Sequence, residues 1–272
     1  MIQAAVIDLD GTVLRNDKTV TEYTKNTLNE LVSTGISVIF ASGRGHENID
    51  SIMQSLGLKG KIRFYVGRNG FELYDTESKV LIEEKSLSLW TSHTAMKFAV
   101  DHKVFVSSSC NGKYYIYYPE DFANELTSKR PVENFDYSSM YWTDDVEMNT
   151  MAMNVGDRYD IFLFADELQR VLKEEALVTV TDNGWLIVTA PEVNKYYEVK
   201  KAINTLYLNN DEVFVIGDGM NDIMMMDQFG YSAAMGNADE RVKKHARYIA
   251  EDNMNDGAAG MIHKLILDRE EY

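Results

Sequence analysis

The chain is short of cysteine, of positive charge and of long apolar runs, and each shortage excludes something. Its 272 residues include one cysteine, Cys110. No intramolecular disulfide framework can form, which fits a reducing cytoplasm, and Cys110 itself reads as a small buried or half-buried hydrophobe. No apolar run approaches the roughly 20 residues that cross a bilayer. Residues 1–7 lack a basic start and run straight into Asp8, unlike a secretory signal. Lysine and arginine number 27 against 43 aspartates and glutamates, a formal net charge of −16. That balance argues against nucleic acid or an anionic membrane as partner. It leaves small anionic ligands open, because a metal ion and one well-placed lysine reverse the potential locally. Any such site must then be built from few, identifiable cations. The histidines, His46, His93, His102, His245 and His263, show no ligand spacing, and no tract is of low complexity.

What is present reads as a globular α/β protein. Hydrophobic residues make up 45% and charged residues 26%, ordinary for one large domain or two modest ones. Four nearly apolar strands are predicted at Ala4–Ile7, Ser37–Ala41, Arg63–Val66 and Glu212–Ile216. Their continuous apolar character suits strands buried on both faces of a parallel sheet. Between them lie helical stripes, Leu28, Leu31 and Val32 in one, Ile49, Ile52, Met53 and Leu56 in the next. Strand and helix alternation predicts a doubly wound parallel sheet, whose ligands bind beyond the carboxyl ends of its strands. The middle behaves differently. A helix near Leu87–His102 precedes a hairpin across Asn111-Gly112, and a helix at Ile161–Leu172 precedes one across Asp182-Asn183-Gly184. This repeated helix–hairpin order predicts a separate α+β domain at 84–188, inserted into a discontinuous core of 1–83 and 189–272.

The polar turns fall where that sheet would bind a ligand. Asp8 and Asp10 follow the first strand, two apart, with Gly11 permitting a sharp departure. Two crowded acids repel unless something positive lies between them, and a divalent cation with oxygen ligands is the natural partner. A plain polar turn is the competing reading of that pair. Ser42-Gly43-Arg44 follows the second strand and offers a hydroxyl and backbone N–H groups to phosphate oxygens. Ser42 also reads as a helix N-cap, and Arg44 either as a substrate contact or as a structural ion pair. Lys195 opens the helix returning from the insert. Gly217-Asp218-Gly219-Met220-Asn221-Asp222 adds two carboxylates and an amide after the fourth strand.

These four elements, in this order, resemble the motifs of the haloacid dehalogenase-like superfamily of phosphohydrolases. The large insert after the third strand is similar to the C2-type cap of its Cof-type branch. Asn69-Gly70, Gly236-Asn237-Ala238 and Asp256-Gly257 also match. One departure is Tyr196, where the branch usually has glycine after the lysine, which makes Lys200 and Lys201 rivals of Lys195. The interval from Lys195 to Asp218 favours Lys195.

The resemblance implies a Rossmann-like core and a phosphoric monoester hydrolase. Asp8 would be the nucleophile forming an aspartyl-phosphate. Asp10 would protonate the leaving alcohol and then activate water. Mg²⁺ would be held by the Asp8 and Asp218 carboxylates and the Asp10 backbone carbonyl, with Asp222 supporting that shell. Leu9 and Gly43 backbone N–H groups, Ser42, Lys195 and Asn221 would hold the phosphoryl group. Physical chemistry agrees: a carboxylate attacking a phosphate dianion needs nearby cations. An acid that later serves as base needs a pKa nearer neutrality than a free carboxyl, which burial beneath the insert is expected to supply for Asp10. The implied partners are small phosphorylated metabolites such as sugar phosphates, flavin mononucleotide or pyridoxal phosphate. Two alternatives remain at this stage, a phosphomutase or phosphotransferase using the same intermediate, and a catalytically silent phosphometabolite-binding protein.

Overall fold

Alternation along the first strand sets the layers. In the computed structural model, which describes residues 1–110, 113–117, 119, 147–181 and 184–268, β1 (Ala4–Ile7) is buried at every position. Ala5 and Ile7 face one core and Ala4 and Val6 another, as the period of two demands. The elements that follow are α1 (Glu22–Ser33), β2 (Ser37–Ala41), α2 (His46–Ser55), β3 (Phe64–Gly67), β4 (Glu72–Asp75) and β5 (Val80–Glu83). Then come α3 (Leu89–Asp101), β6 (Phe105–Cys110), β7 (Lys113–Tyr117), β8 (Met151–Asn154), α4 (Ile161–Leu172), β9 (Leu177–Val180) and β10 (Trp185–Thr189). The chain closes with α5 (Lys195–Thr205), β11 (Val213–Gly217), α6 (Ile223–Gln228), β12 (Tyr231–Ala234), α7 (Glu240–Lys243), β13 (Tyr248–Ile249) and α8 (Gly257–Ile262).

The described chain divides into two compact units, Met1–Glu83 with Asn194–Tyr272, and Glu84–Val193. The first holds an eight-stranded sheet in the order β13-β12-β11-β1-β2-β3-β4-β5. It is parallel from β13 to β3 and antiparallel from β3 to β5. Leu28 and Leu31 of α1, Ile49 and Met53 of α2 and Ile262 of α8 cover one face. Val199, Ala202 and Ile203 of α5 and Met225 and Met226 of α6 cover the other. Burial on both sides is why the strands read as unbroken apolar runs.

The second unit holds a five-stranded antiparallel sheet, β7-β6-β8-β10-β9. Ala95 and Ala99 of α3 and Phe164 and Leu168 of α4 pack with Val106, Met151, Met153 and Leu186 of that sheet. The turn residues Asn111-Gly112 and Asp182-Asn183, and the side chain of Cys110, lie outside what is described. No helix among the described residues is long and apolar enough to cross a membrane.

Candidate active site

The strand order places the site. From β1 the chain moves outward through β2 and β3, then returns to build β11, β12 and β13 on the other side of β1. The order therefore reverses between β1 and β11, and ligands of such sheets bind at the carboxyl ends beside that reversal. Asp8 follows β1, Ser42 follows β2, and Asp218 and Asp222 follow β11.

Lys195 is the first residue of α5. Its helix is capped by Asn194, whose side chain accepts from the Tyr197 N–H at 3.1 Å, so the lysine enters at a fixed angle. The side chain is buried, with Nζ 2.7 Å from Asp8 Oδ1 and 2.8 Å from Asp222 Oδ1. The rival lysines are engaged elsewhere, Lys200 with Asn210 and Lys201 with Glu198. Tyr196, in the place of the expected glycine, turns to the apolar layer and packs on Phe229 with ring centroids 5.6 Å apart. Burial pushes the Asp8 carboxyl up to about 7, the nearby Asp222 charge adds to the rise, and the Lys195 ammonium opposes it. Burial works to lower the pKa of Lys195, but the charges of Asp222 and Asp8 outweigh it and hold the lysine above its ordinary value.

Asp218 completes an acidic cluster with Asp8 and Asp222, whose donor oxygens lie within 4.8 Å of one another. Gly11 makes this approach possible. It has φ +76°, and a Cβ there would stand 2.0 Å from Asp218 Oδ2. Thr12 Oγ1 donates to Asp218 Oδ1 at 3.3 Å, and Asn237 Nδ2 reaches both Asp218 Oδ2 at 3.3 Å and the Gly11 carbonyl at 3.0 Å. When ionised, three carboxylates against one ammonium leave two negative charges, which an oxygen-seeking dication balances. The donor set thus fits a magnesium-like ion in both atom type and charge.

Asp10 is held apart from that cluster. Arg44 grips it with two bonds, Nε to Oδ2 at 2.6 Å and Nη2 to Oδ1 at 2.7 Å, and Lys18 Nζ adds a third at 2.7 Å. Burial alone raises the Asp10 pKa, but the hydrogen bonds and charges of Arg44 and Lys18 together bring it below the ordinary carboxylate value. This corrects the expectation of a raised Asp10 pKa: burial acts in the expected direction, and two cations overcome it. Arg44 accordingly makes an ion pair in this state.

The phosphate-binding candidates are arranged around the same turns. Ser42 is fully buried, and its Oγ accepts from the Arg44 N–H at 3.2 Å. Gly43 lies against the Asn69 amide, with Asn69 Nδ2 3.2 Å from where a Cβ would be. Leu9 is buried, and its carbonyl accepts from Leu14 at 2.7 Å. Asn221 Nδ2 donates to Asn69 Oδ1 at 2.7 Å. Sequence reasoning had no part for Lys18, and it assigned no role to Asn237 or Asn69. Asn237 and Asn69 lay in segments that match the family, which was the available signal. Lys18 carried none.

A doubly wound parallel core with an acidic, lysine-bridged site at the β1/β11 reversal is the class of structure that fold and geometry define. The chain matches the haloacid dehalogenase-like hydrolases over residues 5–262 and belongs to that family, as an enzyme. It is 26% identical over 269 residues to the Bacillus subtilis 5-amino-6-(5-phospho-D-ribitylamino)uracil phosphatase YcsE, covering 98% of this chain and 96% of the relative. It is 24% identical over 266 residues to a phosphoglycolate phosphatase of Methanoculleus marisnigri, covering 97% of each. Among solved structures, the subclass IIB sugar phosphatase BT4131 superimposes with a TM-score of 0.81 at 18% identity, covering 96% of this chain and 98% of that one.

Proposed function

We propose that the protein is a Mg²⁺-dependent phosphatase of small phosphomonoesters, working through an aspartyl-phosphate on Asp8. The observation that carries this reading is Lys195, buried between Asp8 and Asp222 with Asp218 completing the cluster. Phosphatases among the relatives support it.

An Asp8 carboxylate oxygen forms the new bond to phosphorus while the bond from phosphorus to the leaving alcohol breaks. Asp10 gives that alcohol its proton, then removes one from the water that attacks the acyl phosphate and frees Asp8. Lys195, Ser42, Asn221 and the Leu9 and Gly43 N–H groups hold the equatorial oxygens, where charge spreads in the transition state. Mg²⁺, bound by the Asp8 and Asp218 carboxylates and the Asp10 backbone carbonyl with Asp222 behind them, would neutralise charge on the transferring phosphoryl group. Dividing one hard displacement into two is what a covalent nucleophile gains. Sugar phosphates and phosphorylated cofactors or their precursors are the substrate classes to try first, given the relatives' activities.

The test is a screen of purified protein with Mg²⁺ against p-nitrophenyl phosphate and a panel of phosphorylated metabolites. Hydrolysis is expected to stop on chelation and to fall by several orders of magnitude in Asp8→Asn. Full activity of that variant, or undiminished metal-free turnover, overturns the reading. Labelled phosphate appearing on a second sugar position instead of in solution would identify a mutase, and phosphate binding without turnover a silent binding protein.

A further inference from the structure

The turn Arg68–Gly70 after β3 has no part in the chemistry above, yet it touches three loops that do. The Arg68 N–H donates to the Arg44 carbonyl at 2.9 Å, and the Asn69 N–H to the Ser42 carbonyl at 3.0 Å. Gly70, at φ +101°, lies so close to the cap of α5 that a Cβ would stand 2.2 Å from the Asn194 carbonyl oxygen. The Asn69 side chain accepts from Asn221, 152 residues away in sequence. Behind the turn, buried Glu72 accepts from Arg68 Nε and, at 2.8 Å, from the His46 N–H. Three segments remote in sequence therefore meet on one three-residue turn: the loop after β2, the start of α5 and the loop after β11.

Asn69 is suited to its place. Its φ of 56° lies in the left-handed region, which asparagine tolerates better than most L residues. A terminal amide turns over a broad, roughly two-fold torsion and carries two N–H donors. When Asn69 takes one donor of Asn221, the rotor is fixed and the second donor keeps one direction.

We propose that Asn69 is a positioning residue for phosphate. It locks the Asn221 amide and holds the Ser42 loop in register, so that both address one phosphoryl group. The proposal rests on the phosphatase reading of the site and adds to it a side chain that acts through Asn221.

The experiment compares wild type, Asn69→Gly, Asn221→Ala and the double variant, all with Mg²⁺. Glycine keeps the left-handed backbone and removes only the side chain. The readouts are KM for p-nitrophenyl phosphate, calorimetric affinity for inorganic phosphate, and Tm. Asn69→Gly is expected to weaken phosphate binding and raise KM by about three- to tenfold, the loss of one useful hydrogen bond. In the double variant it should add little to Asn221→Ala, because the two act as a unit. Unchanged phosphate affinity in a folded Asn69→Gly protein overturns the proposal, as does full additivity. Should that variant fail to fold, NMR of the Asn221 side-chain amide in the wild type decides: an ordered amide whose signals shift on adding inorganic phosphate supports the proposal, and an averaged or unshifted amide overturns it. A wild-type protein that neither hydrolyses nor binds phosphate defeats the phosphatase reading itself, whereas active wild type with an indifferent Asn69 defeats the positioning role alone.

Discussion

The proposed chemistry asks Asp10 to be an acid and then a base, and the resting geometry suits the second task. With Arg44 bidentate and Lys18 beside it, the carboxyl is held as carboxylate. A folded pKa below the unfolded one adds stability above the ordinary carboxylate range, and that contribution is lost as pH falls through the lowered value. To protonate a leaving alcohol, Asp10 must first acquire a proton within that grip, so its orientation by Arg44 matters most for leaving groups that need one. Arg44→Ala is therefore expected to lower kcat/KM for an alkyl phosphate at least about tenfold more than for p-nitrophenyl phosphate, whose phenolate departs unaided. Equal losses on both substrates would show that Arg44 serves binding and not proton transfer. Lys18 is 58% exposed, and exposed pairs contribute little, so Lys18→Ala should change either value by less than about fivefold.

At the scale of elements, the first turn of α5 decides where the buried ammonium sits. Asn194→Ala removes the cap that receives the Tyr197 N–H, a loss of about 1 kcal/mol, or a Tm lowered by about 2–4 °C. Because the next residue is Lys195, kcat should fall about ten- to a hundredfold, well beyond what that stability change explains. Asp160→Ala, which removes the equivalent cap of α4, should lower Tm similarly and leave kcat within about twofold. A kcat unchanged in Asn194→Ala would mean that the two carboxylates alone locate the lysine.

Elements of this kind were legible where burial is two-sided or the stripe is clean: β1, β2 and β11 as apolar runs, α4 from its spacing. The antiparallel pair β4 and β5 was not. Glu72, Asp75 and Glu83 break its apolar character, and its strands exist because β3 offers an edge to pair with. Trp90 fits the apolar spacing of α3 but is 51% exposed. The tight spacing of apolar residues there could not distinguish the buried Ala95 and Met96 from the surface beside them.

For the whole molecule, the motif carboxylates and Lys195 could be read one by one, but the contacts that set their charge state join residues far apart in sequence. Lys195 meets Asp8 across 187 residues, and Thr12 meets Asp218 across 206. No local pattern announces such pairs; they follow from the strand order, which places β1 against β11. Their consequence is a coupling between pH, metal and global stability. Asp8 titrates near 7 in the folded chain against an ordinary value of 3.8. Between those values the folded state holds more protons than the unfolded one, so this group's contribution to stability falls as pH rises from about 4 to 7. The proposed dication would bind the ionised cluster and would have to displace that proton. The rise in Tm on adding the same fixed concentration of Mg²⁺ should therefore be larger at about pH 8 than at about pH 5. At a hundred times the dissociation constant the stabilisation is about 2.7 kcal/mol, a shift of several degrees. Asp8→Asn should remove most of the pH dependence of this increment, since the proton in competition with the metal is then gone. An increment equal at both pH values in the wild type, or larger at the lower one, would place the titrating group elsewhere and remove Asp8 from the metal site.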